Sequence, residues 1–303
     1  MTVIITGSNG FSAFYLSQFV KENRSASSII GIDISRESKN HCVDVYFSLA
    51  DFPAFAKRIE SVRGKSRFIH LGGLLGHHPL PLLIEANVLW TSRYLEAACA
   101  IRNLESFLNV GSSAEYGVQQ AQVLREDLSP HPVSNYGISK HLQSQLALCA
   151  SRTTDLRVIS TRTFNLIGPG LAENLVIGKM IREFKKVREG SKNVVELGRL
   201  NSKRDFIDVR DAVKVYWRLS ETEVSGEIVN VGSGSSYAIE EIYESCAKIF
   251  GITPTVAHNA VALTAQDVDY QKADISKLRS LITLPSFRPV EESLQDMVQA
   301  LNG

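Results

Sequence analysis

Short apolar runs alternate with amphipathic stretches along the first half of the chain. Thr2-Val3-Ile4-Ile5-Thr6 is a β-branched run of the kind buried in a parallel sheet. It leads into Gly7-Ser8-Asn9-Gly10-Phe11, after which Phe11, Phe14, Tyr15, Phe19 and Val20 recur at helical spacing. Ile29–Asp33 is a second run, ending in an acid, and others lie at 42–47, 68–71, 107–110 and 158–164. Helical spacing fills 82–101 and 136–150. This alternation predicts an α/β fold with a doubly wound parallel sheet. The second half is less regular: helices are predicted over 171–190 and 208–219, and strands over 194–197 and 227–231. No repeat or long linker parts the halves, so a smaller second domain woven into the first is expected.

Composition narrows the class. The 303 residues are 44% hydrophobic, enough for a sizeable core. Thirty-three basic residues against thirty-two acidic leave a net charge of +1. That balance gives no electrostatic footprint for nucleic acid or a membrane surface. No apolar run approaches the ~20 residues that span a bilayer. The start, MTVIITGSNGF, lacks the basic and long apolar segments of a secretory signal. Cys42, Cys99, Cys149 and Cys246 are far apart and form no CxxC pair. A zinc site or disulfide framework is not expected, and reduced thiols in a cytoplasmic enzyme are.

Two constellations carry chemistry. Gly7-x-x-Gly10-x-x-Ala13 follows a strand and opens a helix, the turn that lets a pyrophosphate approach a helix N-terminus. Asp33 ends the next strand 23 residues after Gly10, where a carboxylate reaches ribose hydroxyls. Asp33 repels a 2′-phosphate and favours NAD, while nearby Arg36 keeps NADP open. Tyr136 and Lys140 lie four apart, on one face of a helix. A tyrosine with an ordinary pKa of about 10 needs help to act near neutrality, and a neighbouring ammonium with a positive nicotinamide ring would lower that value. Ser112, past the 107–110 run, supplies a hydroxyl for a substrate oxygen.

In order, Thr6-Gly-x-x-Gly10-Phe11, Asp33, His70-Leu71-Gly72, Asn87-Val88, Gly111–Gly117, Tyr136-x-x-x-Lys140 and Arg162-Thr-Phe-Asn165-x-x-Gly168-Pro169-Gly170 span nearly the whole chain. This set resembles the extended short-chain dehydrogenases of the NAD-dependent epimerase/dehydratase family that act on nucleotide sugars. Gly111–Gly117, Ile167–Gly170 with Asn174–Ile177, and Lys203–Asp211 are most similar to reductases that form GDP-rhamnose from its 4-keto precursor. The resemblance implies Ser112, Tyr136 and Lys140 as catalytic residues. It places Gly7, Asn9, Gly10, Phe11, Asp33, Leu71, Gly72, Tyr136 and Lys140 on NAD or NADP. It puts Ser112, Asn165, Asn174, Leu175 and Arg204 on a GDP-linked sugar, with Arg204 on the diphosphate. No metal is implied, and a homodimer is.

The expected architecture is a Rossmann domain of 1–165 rejoined by about 204–232, with a substrate domain from about 166–203 and 233–303. The expected reaction is reduction of a 4-keto-6-deoxy nucleotide sugar. Dehydratases of this family need an acid directly after the catalytic hydroxyl, and Ser113 and Ala114 stand there instead. A nucleotide-sugar 4-epimerase stays open as an alternative. So, from another class, does a non-catalytic NAD(P)-sensing protein, which would have little use for Ser112, Tyr136 and Lys140 together. Relatives often carry an arginine before a late Asp-Val pair; this chain reads Leu263-Thr-Ala-Gln-Asp267-Val268, which leaves base and sugar open. His77-His78 reads most simply as a solvated loop, and Glu115 as a hydrogen-bonded turn residue.

Overall fold

The computed structural model describes residues 1–258 and 270–301. The glycine turn closes β1 (Thr2–Thr6) and opens α1 (Phe11–Glu22). Then follow β2 (Ser28–Asp33), β3 (Val45–Ser48), α2 (Phe52–Glu60), β4 (Ser66–His70), α3 (Leu80–Ile84), α4 (Trp90–Cys99), β5 (Leu104–Ser112), α5 (Asn135–Thr153) and β6 (Val158–Thr163). The chain continues through β7 (Asn165–Ile167), α6 (Val176–Arg188), β8 (Val194–Leu197), β9 (Lys203–Arg204), β10 (Phe206–Asp208) and α7 (Val209–Glu221). It ends with β11 (Glu227–Val231), β12 (Tyr237–Ala238), α8 (Ile239–Phe250), β13 (Thr255–His258), α9 (Ser276–Leu281) and α10 (Val290–Ala300).

Seven parallel strands form the sheet in the order β11-β6-β5-β4-β1-β2-β3. Order reverses beside β1, the switch point where ligands bind at the carboxyl ends of such sheets. The strand period of two decides the layers. Val3 and Ile5 join α1 and α7 in one buried cluster, whereas Ile4 joins Phe55, Tyr94 and Leu95 of α2 and α4 in another. A third cluster joins α6, α8 and α10 through Phe184, Ile242 and Leu294. Ala273, Ile275, Leu278 and Phe287, near the C-terminus, pack on the first of these clusters. Among the described residues no helix is long and apolar enough to cross a membrane.

Two expected elements differ in ways that shape the site. The helix predicted over 82–101 is interrupted by a π-helical turn at Glu85–Leu89, whose wide winding carries Asn87 fully into the interior. The helix predicted from 171 begins at Val176, because Gly168 and Gly170 take positive φ and Leu175 N–H bonds back to Ala172 O.

Candidate active site

Gly7 has φ +63°, and a Cβ there would lie 2.7 Å from Gly72 Cα. Only glycine lets the turn after β1 come this close to the loop after β4. No side chain caps α1 at Gly10, so the amides of its first turn stay available to an anion. Asn9 braces the turn: its side-chain oxygen accepts from Lys39 N–H at 2.8 Å and its amide donates to Glu37 O at 3.0 Å. The Asn9 backbone N–H in turn donates to Asp33 Oδ2 at 3.0 Å. Asp33 is thus held beside the glycine turn, and turn, uncapped helix and carboxylate together fit a dinucleotide.

Ser134 caps α5, accepting from Gly137 N–H at 3.0 Å, and sets Tyr136 and Lys140 one turn apart. Lys140 Nζ donates to Val110 O at 2.8 Å and to Gln143 Oε1 at 2.6 Å. Burial lowers its pKa to about 8, with the Glu115 carboxylate pulling the other way. Burial also pushes the Tyr136 phenol up to about 12, against a hydrogen bond from Ser112 that favours the phenolate; the Glu115 charge adds to the rise. The expected lowering by Lys140 is not what the protein alone provides, because the ammonium is turned toward Val110 and Gln143.

Behind the pair lies a one-way chain of donors. Lys140 donates to Gln143, Gln143 to Asn109 at 2.7 Å, Asn109 to Ser160 at 2.8 Å, Ser160 to Ser144 at 3.1 Å, and Ser144 to Glu115 at 3.0 Å. Glu115 also accepts from Ser112 N–H at 3.0 Å and faces Arg162 at 3.4 Å. Glu115 is fully buried and anchors the turn carrying Ser112 rather than lining the cavity. Asn87 accepts from Leu74 N–H at 2.7 Å and donates to Ser139 at 2.9 Å, tying the loop after β4 to α5. A Cβ on Gly73 would stand 2.8 Å from Asn87 Oδ1.

One cavity of about 470 Å³ brings Gly7, Gly10, Phe11, Leu71, Ser112, Tyr136, Lys140, Asn165 and Leu175 together. Asn9, Asp33 and Gly72 are not among its lining residues. Asn174 is exposed and outside it, and half-buried Arg204, whose guanidinium donates to Lys203 O at 2.9 Å, is also outside the lining. The cavity adds Leu74, Leu75, Phe164, Leu171, Val176, Phe206 and Gln271, none singled out as a site residue from the sequence. Phe206 lies inside the Lys203–Asp211 run and was within reach of that signal; Gln271 had none. Lys140 is the one charged side chain in the lining among the described residues. The late Leu263–Val268 stretch lies outside the described residues.

Residues 3–232 match the NAD dependent epimerase/dehydratase family. The chain is 24% identical over 291 residues to a GDP-6-deoxy-D-talose 4-dehydrogenase of Aggregatibacter actinomycetemcomitans, covering 93% of this chain and 91% of that protein. It is 34% identical over 169 residues to a GDP-6-deoxy-D-mannose reductase of Pseudomonas aeruginosa, covering 55% of this chain and 56% of that protein. Among solved structures, MoeE5 in complex with UDP-glucose and NAD superposes with a TM-score of 0.87 at 24% identity, covering 100% of this chain and 99% of that one, and shares the fold.

Proposed function

The chain belongs to the NAD dependent epimerase/dehydratase family, and from its site we propose that it reduces a 4-keto-6-deoxy nucleotide sugar with NAD(P)H. The observation that carries this reading is the single cavity joining the glycine turn to Ser112, Tyr136 and Lys140 with no acidic side chain in its described lining. Dehydration needs such an acid, and ketone reduction does not. Leu74, Leu75, Phe164 and Phe206 offer apolar cover to a 6-methyl group, each buried CH₂-sized group being worth about 0.8 kcal/mol. The two GDP-6-deoxyhexose enzymes among the relatives support a GDP-linked sugar.

In this proposal Gly7, Gly10, Phe11, Leu71 and Gly72 hold the dinucleotide, with Asn9 and Asp33 fixing the adenosine ribose. The cofactor, when bound, supplies hydride to the ketone carbon. Tyr136 donates the proton to the ketone oxygen, which Ser112 hydrogen-bonds. The Lys140 ammonium holds the nicotinamide ribose and favours the phenolate left behind. Asn165, Asn174 and Leu175 contact the nucleotide sugar and Arg204 its diphosphate, a role that asks its side chain to swing toward the cavity. Residues 1–165 with about 204–232 form the dinucleotide unit, and about 166–203 with 233–303 the sugar unit. Exposed Leu82, Leu89 and Leu142, on neighbouring helical segments, support a homodimer. The test is product analysis after mixing protein, reduced cofactor and 4-keto-6-deoxy GDP-, UDP- and dTDP-sugars. One cofactor oxidised per 4-hydroxy product is expected; interconversion of 4-hydroxy sugars with no net redox would instead identify an epimerase.

A further inference from the structure

Gln271 enters the cavity from a segment that no motif marks. Its backbone is tied down on both sides. Gln271 N–H donates to Lys203 O at 3.0 Å and Ala273 N–H to Asp205 Oδ2 at 3.0 Å. Leu124 N–H donates to Lys272 O at 2.8 Å, and Ser236 Oγ donates to Tyr270 Oη at 3.0 Å. At the centre of this fixed stretch the Gln271 residue is 7% exposed and lines the cavity, and its carboxamide makes no hydrogen bond among the described residues.

A buried primary amide carries two donors and two lone pairs, and such groups are nearly always paired. The Gln271 carboxamide is not sealed off from solvent: its polar atoms are reached through the cavity, where a ligand group can take the place of water. Here the unused capacity opens onto the cavity. A neutral amide suits a group that both donates and accepts, which is what a sugar hydroxyl does; a diphosphate is better met by a guanidinium or a helix N-terminus.

Position also points to the sugar. Ser112 pairs with Thr163 at the end of β6, and Asn165, two residues later, begins β7. Asn165 is in register with Phe206, and its N–H donates to Asp205 O at 3.2 Å. Gln271 hangs from Lys203, two residues before Asp205. The same short walk that starts at the catalytic hydroxyl therefore ends at Gln271.

We propose that Gln271 is a sugar-selecting residue, its carboxamide hydrogen-bonding a hydroxyl of the hexose held between Ser112 and Phe206. This rests on the nucleotide-sugar reading above. The experiment is isothermal titration of wild type, Gln271→Met and Gln271→Leu with GDP, UDP and dTDP, with GDP-mannose, UDP-glucose and dTDP-glucose, and with NADH. Both variants are expected to bind the preferred nucleotide sugar roughly tenfold more weakly, as loss of one neutral hydrogen bond implies. Their affinity for the matching nucleoside diphosphate and for NADH should not change, and the latter shows that the fold is intact. An equal loss for the bare diphosphate, or no loss at all, overturns the proposal. A wild type that binds NADH but none of the three nucleotide sugars and none of the three nucleoside diphosphates overturns the nucleotide-sugar reading itself.

Discussion

The Ala114 backbone N–H donates to the Ser112 hydroxyl oxygen at 3.2 Å. One lone pair of that oxygen is thereby occupied, and the Ser112 backbone is fixed by Glu115 Oε1. What remains is one lone pair and the hydroxyl proton, which meets the Tyr136 phenol at the cavity wall. From there Ser112 can donate either to the phenolate or to a substrate oxygen placed beside it. Ser112→Ala should therefore lower kcat for ketone reduction by roughly 10²–10³-fold, as removal of one fixed donor does elsewhere. NADH affinity should be unchanged. Steady-state rates with direct NADH titration check this, and a loss confined to KM would contradict it.

Lys140 titrates with a pKa lowered to about 8 by burial. Below that value it is an ammonium, and above it a neutral amine that no longer favours the phenolate. The kcat/KM for reduction should fall as pH rises through about 8. In Lys140→Arg, whose guanidinium keeps its charge, the residual activity should lack that alkaline limb. A limb at the same pH in the variant would assign it to another group.

His70 is fully buried, with Nδ1 2.6 Å from the Thr6 hydroxyl and Nε2 2.8 Å from Thr91. Thr91 already donates to Asn87 O at 2.7 Å, so its oxygen accepts from Nε2–H and the ring is neutral, with Nδ1 accepting from Thr6. Burial, with the Lys140 charge adding, lowers its pKa from 6.5 to about 3. The unfolded chain takes up this proton first, so the contribution is full above pH 6.5 and is lost as pH falls toward 3. Between pH 7 and 5 the loss is about 2 kcal/mol. Urea unfolding at both pH values should show that drop in wild type and a smaller one in His70→Asn; equal drops would contradict it.

The strand–turn–helix start, Asp33 and the Tyr136–Lys140 face were legible because each depends on local spacing, which period and turn chemistry fix within a few residues. The π turn that buries Asn87 was not, since one wide turn leaves no periodic mark. Nor was the direction of the Tyr136 shift: spacing brings an ammonium near the phenol, but burial, a tertiary effect, decides its pKa. Gln271 reaches the cavity only because the segment carrying it crosses back to Lys203 and Leu124. Nothing near residue 271 announces that pairing.

In the proposed reaction a hydride passes to the ketone carbon of a keto sugar and Tyr136 protonates its oxygen. It is tested most directly with NADH deuterated at the transferring position, mixed with protein and a GDP-4-keto-6-deoxyhexose, the product being read by NMR and mass spectrometry. One deuterium at C4 of the product and one free oxidised cofactor per turnover are expected. Tyr136→Phe should reduce that rate by roughly 10²–10⁴-fold. A 4-hydroxy nucleotide sugar inverted at C4 without deuterium gain, by protein that keeps its cofactor bound, would contradict it.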